Sequence, residues 1–129
     1  MEIVVYAQLQ PTVNVAMETT EIMLADKLSD NPELLSSQLA DIEVYHYRIS
    51  YLLAQADALV SRSKYLCSPT EKMNDFNKKI YIEAYTVKEV FLRDALERRL
   101  KDIEVRIQTA QSLLAYSREI AKMGGKESV

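Results

Sequence analysis

The sequence predicts an all-α protein: an antiparallel hairpin of two long, coiled-coil-like helices, preceded by a short helix and assembled as an oligomer. Three observations carry this. Gly and Pro number only 2 and 3 in 129 residues, too few for the turns of a sheet. An alternation at steps of four and three runs unbroken from Leu35 to Cys67, which keeps one seam on one side of a helix. Between that stretch and the next lies SPTEK at 68–72, where one helix stops and another starts.

Residues 1–18 leave two readings open. Ile3, Val4, Val5 and Tyr6 have strand propensity, and Pro11 ends whatever they form. An extended arm and a strand paired with another copy both fit. TTEIMLADKL at 19–28 is predicted as a short helix capped by Thr19 or Thr20, and SDNP at 29–32 breaks it. Residues 1–30 thus form an N-terminal arm with its helix, 31–123 the hairpin, and 124–129 a disordered tail.

The first long helix has a clear start. Asn31 caps it, Pro32 suits its first position, and Glu33 favours the positive end of its dipole. Leu35, Leu39, Ile42, His46, Ile49 and Leu53 open the alternation, which Ala56, Val60, Ser63 and Cys67 continue. Tyr45, Leu52, Leu59 and Leu66 run beside it at steps of seven.

In SPTEK, Ser68 is the cap, Pro69 the first helical residue, and Glu71 completes a capping box. Pro69 also disfavours helical geometry at Ser68. A stop and restart this close together makes a helical hairpin. Folding about residue 68 sets Ile49 beside Val87 and Tyr51 level with Tyr85.

The second arm is predicted from Pro69 to about Met123, with Gly124-Gly125 as its stop. Met73, Phe76, Ile80, Ala84, Val87 and Phe91 form its first inward face. Leu100, Ile103, Ile107, Ala110, Leu114 and Ala121 form its second. The stripe shifts sideways around Leu92 to Leu96, a sign of altered winding or of a different partner. Glu89–Arg93, Asp94–Arg98, Glu97–Lys101 and Asp102–Arg106 each place an acid four residues before a base, the orientation that favours a solvated helix face.

At about 1.5 Å per residue the arms measure roughly 50 and 80 Å, so the first covers the second only to about residue 104. The stripe from Ile107 to Ala121 then needs the short helix or another subunit. The expectation is an obligate homo-oligomer with Leu39, Ile42, Ile49, Leu53, Ile103, Ile107 and Leu114 in its core or oligomer seam.

Little points to catalysis. His46 is the single histidine and cannot make a multi-ligand metal site; a packed or hydrogen-bonded role fits it, with a pH-sensitive interface as the alternative. Cys67 is the single cysteine, so no disulfide forms within the chain, and it reads as a small buried hydrophobe. No nucleophile triad, phosphate loop or nucleotide fingerprint is present. A non-enzyme without cofactor or metal is expected. Glu2 stands where a secretory signal would carry positive charge, and no apolar run reaches membrane-spanning length. A reducing cytoplasm is the expected location.

Charge is more informative. The net charge of −3 argues against a protein that coats nucleic acid with its whole surface but permits a local basic patch. Residues 1–45 hold eight acids against Lys27 alone. Around the hairpin tip, Arg62, Lys64, Lys72, Lys78 and Lys79 face only Glu71 and Asp75, with Tyr65, Phe76, Tyr81 and Tyr85 among them. Bases and aromatic faces together suit single-stranded nucleic acid, with phosphates on the cations and nucleobases on the rings. Tyrosines half-buried between packed helices are the competing reading. The candidate binding set is Arg62, Lys64, Tyr65, Lys72, Lys78 and Lys79.

YHYRISYLLAQADALVSRSKYL, the short break and DIEVRIQTAQSLLAYSRE together resemble small phage-encoded helical-hairpin proteins. Those proteins accompany phage recombination and single-strand-binding genes, and are similar to the UvsY-type recombination mediators. The resemblance spans about residues 35–120 and rests on helix layout and a Tyr/Ala/Lys texture. It implies an oligomeric, non-enzymatic accessory, in the host cytoplasm if phage-encoded, that binds single-stranded DNA and helps load a recombinase or works beside a single-strand-binding protein. Arg48 joins the candidate set on that view. A coiled-coil adaptor or inhibitor that holds a protein partner through the acidic 1–45 segment is the alternative, and a regulator acting through Cys67 or His46 is a third.

Overall fold

The computed structural model describes residues 5–67 and 73–127. Among the described residues four helices follow in chain order, α1 (Tyr6–Ala25), α2 (Pro32–Leu66), α3 (Asp75–Tyr85) and α4 (Val87–Glu127), and no strand is present. The two long helices α2 and α4 lie antiparallel, and α1 packs against both.

Helix α2 forms where its sequence signals place it. The Asn31 side chain accepts from the backbone N–H of Glu33 at 2.9 Å and of Leu34 at 3.3 Å, so two of the orphan donors at the helix start are satisfied. Its seam is buried at Leu35, Ile42, Ile49, Ala56 and Val60, with Leu52 and Leu59 beside it. Cys67 ends the helix as a buried thiol whose Sγ approaches the Lys64 carbonyl at 3.4 Å.

The N-terminal segment departs from expectation. Neither an arm nor a strand forms over residues 5–18: α1 starts at Tyr6, passes through Pro11, and ends at Ala25. Thr19 and Thr20 are not caps but mid-helix residues, their hydroxyls donating to the Val15 and Ala16 carbonyls at 2.7 and 2.8 Å. A helix-interior proline costs about 3 kcal/mol. Burial of Leu9 and Val13 against α2 and α4 returns about 1.5–3 kcal/mol each, enough to offset it. Tertiary packing wins over the local break. The turn after α1 is then fixed by Gln38, which accepts from Ser29 N–H at 2.7 Å and donates to the Lys27 carbonyl at 3.1 Å.

The second arm is also corrected. The predicted start at Ser68, Pro69 and Glu71 lies outside the described residues, but Met73 and Asn74 are not helical. Helix begins at Asp75, where the Asn74 side chain accepts from Asn77 N–H at 2.8 Å. One residue, Thr86, interrupts the arm; its hydroxyl bonds back to the Ile82 carbonyl at 2.8 Å, a contact that bends helices. Gly124-Gly125 does not stop the arm, since α4 runs on to Glu127 and the tail expected from residue 124 is helical up to there. Neither glycine has a positive φ, so neither makes the left-handed cap that stops a helix.

The alignment of the arms differs most. His46 meets Glu104 at 3.4 Å and Asp57 meets Arg93 at 3.9 Å; both pairs straddle residue 75 at equal sequence distance. Ile49 therefore sits level with residue 101, not with Val87, and Tyr51 level with residue 99, not with Tyr85. The slip is about two heptads, which leaves the same seam facing inward. Val87 is 61% exposed and Phe91 68%, with Phe76 and Ile80 exposed as well: the first predicted inward face points outward. The inward face of α4 is Leu92, Leu96, Ile103, Ala110 and Leu114. The sideways shift around Leu92 to Leu96 marks where the stripe changes from an outward to an inward course.

This slip lets α2 cover more of α4 than expected. Ala110 and Leu114 are buried with Leu35, and Leu28 and Leu39 pack on them. Beyond Leu114, Tyr116, Ile120 and Met123 are exposed. Leu39, Leu53 and Ile107 are half-buried, and Ile42, Ile49, Ile103 and Leu114 buried. All seven belong to contacts within one chain.

The charged face is rearranged too. Arg93 turns to Asp94 at 3.2 Å and to Asp57 instead of Glu89, and Arg106 donates to the Asp26 carbonyl instead of meeting Asp102. No ion pair within 4.0 Å joins Asp94 to Arg98 or Glu97 to Lys101 among the described residues. Glu89 is only 7% exposed, and its Oε2 has no hydrogen-bond partner. Of the four bases, Arg93 and Arg106 reach partners on other elements, Asp57 and the Asp26 carbonyl.

Candidate nucleic-acid interface

Helix α3 is the only described helix that buries no residue. Asn74 and Asp75 account for its start, a cap and an acid at the positive end of the dipole. Ile82 is half-buried, and the other side chains of the helix are exposed. Lys78, Tyr81 and Tyr85 stand at spacings of three and four, hence on one face. Tyr81 and Tyr85 lie with ring centroids 6.2 Å apart and planes 20° apart, an offset stack, and both are exposed, Tyr85 by 62%. Phe76, Lys79, Ile80 and Glu83 share an adjoining face, also exposed.

The six predicted binding residues are distributed as follows. Lys78 and Lys79 come together on α3 beside the tyrosine stack. Lys64 and Tyr65 are exposed on the last turns of α2, while Arg62 is half-buried there. Lys72 lies outside the described residues. Lys88, at the start of α4, is drawn toward α1, its Nζ 4.8 Å from the centre of the Tyr6 ring, a cation–π contact.

A second surface was only partly marked in the sequence. A groove of about 720 Å³ lies between α1 and α2, lined by Tyr45, Tyr47, Arg48 and Tyr51 on one wall and Thr12 and Val15 on the other. The Arg48 guanidinium sits over the Tyr45 ring at 5.9 Å from its centre. A smaller cleft of about 510 Å³ shares Tyr45 and Arg48 and continues toward Asp26 and Asp41. Tyr47 and Tyr51, four residues apart, and Arg48 are legible in the sequence. The opposite wall does not, because it exists only once residues 6–18 are helical.

His46 Nε2 lies 3.4 Å from Glu104 Oε1. Among the described residues no cluster of three or more His, Cys, Asp or Glu side chains could hold a metal ion, and no helix is long and apolar enough to cross a membrane. The chain matches no family model, no curated protein and no solved structure.

Proposed function

We propose that the protein is a non-enzymatic accessory of phage-type recombination or replication that binds single-stranded DNA, with α3 as its contact element. The stacked, exposed Tyr81–Tyr85 pair beside Lys78 and Lys79 carries this reading. Aromatic faces accept any nucleobase, worth about 1–3 kcal/mol per base, while lysines take the phosphates. No residue of α3 is fully buried, and its exposed side chains, Phe76, Ile80, Tyr81 and Tyr85 among them, are available to a ligand. An oligomer would multiply one such weak contact. The test is fluorescence anisotropy of a labelled oligothymidylate across a salt series. Binding should weaken with salt, and Lys78→Glu with Lys79→Glu should abolish it. No binding at low salt would contradict the reading.

A second reading, an adaptor or inhibitor that holds a protein partner without nucleic acid, is favoured by one observation. Phe76, Ile80, Val87 and Phe91 form an exposed apolar stripe across α3 and the start of α4, a stripe of the kind a partner helix covers. It predicts a stoichiometric protein complex lost on Phe91→Glu and indifferent to oligonucleotide.

A further inference from the structure

The seam that joins α2 to α4 is satisfied within the chain, yet α2 carries a second alternation on its solvent side. Val44, Tyr47, Tyr51, Ala54, Ala58 and Ser61 succeed one another at steps of three and four, and all are exposed. Ala40 and Tyr65 extend the alternation by one four-residue step at either end. A stripe with this mean period of about 3.5 stays in register only against another helix wound around it. The pattern calls for a helix as its occupant.

The occupant's identity follows from symmetry and charge. About the point between Leu52 and Leu53 the alternation reads the same in both directions. Laid against a reversed copy of itself, it sets Tyr51 opposite Ala54 of the partner subunit, Tyr47 opposite Ala58 of the partner subunit, and Val44 opposite Ser61 of the partner subunit. Each layer is then one large residue against one small. A parallel pairing would stack Tyr on Tyr and Ala on Ala in successive layers, so that the first would hold the helices apart and the second leave a void.

The flanking charges agree. Asp41 and Arg62 lie on one flank of the stripe, Glu43 and Lys64 on the other. In an antiparallel pair, like flanks meet. Asp41 then faces Arg62 of the partner subunit and Glu43 faces Lys64 of the partner subunit, with no like charges opposed. The α1 wall of the groove adds Val15, 64% exposed next to Tyr47 and Tyr51, as further apolar surface.

We propose that this face is the interface of an antiparallel homodimer, each α2 lying on the other along the α1–α2 groove. The dimer assigns Arg62 and Lys64 to assembly and leaves α3 outside the interface, once at each end. It goes beyond the nucleic-acid reading and stands or falls without it.

Single substitutions Val44→Cys and Ser61→Cys, both at exposed positions, test the register. Each is purified alone, checked for unchanged helicity by circular dichroism, and oxidised alone and as a mixture, with the unsubstituted chain and its buried Cys67 as background. A disulfide-linked dimer is expected only from the mixture, because in this register two copies of position 44 stand about 25 Å apart. Sedimentation equilibrium is the second measurement. Glu43→Lys should raise the dimer dissociation constant roughly fivefold, since each pair occurs twice, and adding Lys64→Glu to the same chain should restore it. A monomer at every concentration, a Val44→Cys chain that cross-links with itself, or a mixture that does not cross-link would overturn the proposal.

Discussion

His46 on α2 and Glu104 on α4 meet at 3.4 Å between Nε2 and Oε1, and with the Asp57–Arg93 pair at 3.9 Å they align the two long helices about residue 75. This alignment puts Leu96 at the centre of the core and turns Val87 to solvent. It also leaves α3 at the margin of the paired region, with no fully buried residue.

The alignment has a direct consequence for stability. Leu96→Ala should cost about 2–5 kcal/mol, the range for a fully buried leucine. Val87→Ala should change stability by less than about 0.5 kcal/mol, as exposed substitutions do. Urea denaturation of both variants distinguishes the registers, because a hairpin folded about residue 68 would make Val87 the costly one.

How much of this was legible depends on the kind of signal. Asn31 and Pro32 mark the start of α2 by local chemistry, and the steps from Leu35 to Cys67 mark its buried face; both appear in the structure as read. Periodicity is blind to a slip of whole heptads, however, so the same seam fits Ile49 beside Val87 or beside residue 101. It is equally blind to which apolar face meets a partner, and the Phe76–Phe91 stripe therefore looked like core. Residues 6–18 depart from the sequence expectation for another reason. Pro11 and the β-branched run are local signals, while burial of Leu9 and Val13 against distant helices decides the outcome.

Pro11 sits on an exposed side of α1, where it withholds one backbone hydrogen bond. Pro11→Ala should restore that bond and stabilise the protein by about 1–3 kcal/mol, read as a higher melting temperature with unchanged or slightly increased helicity. A loss of stability would mean that the first turns of α1 are not helical.

Glu89 offers a second route to a more stable chain. Its Oε2 is buried without a hydrogen-bond partner, and a buried polar atom left unpaired is unfavourable. Glu89→Met, similar in length and apolar, should raise stability by about 1–2 kcal/mol, which for a domain of this size is a few degrees in melting temperature. An unchanged or lower melting temperature would indicate that the carboxylate meets water or a cation.

Tyr81 and Tyr85 separate function from folding, because α3 buries no residue. Tyr85→Ala should leave the melting temperature unchanged and weaken binding of an oligothymidylate about tenfold, the loss of one stacked base. Equal affinities for the variant and the unsubstituted chain would remove the tyrosine pair from the interface.

Hydrogen–deuterium exchange of the full chain, with and without a saturating short oligothymidylate, tests the assignment of α3 most directly. Residues 75–85 should exchange quickly in the free protein and become strongly protected with the oligonucleotide, while the α2–α4 core around Ile49, Leu96 and Ile103 stays slow in both. Equal exchange of residues 75–85 in the two samples, or protection that appears only along α1, would contradict it.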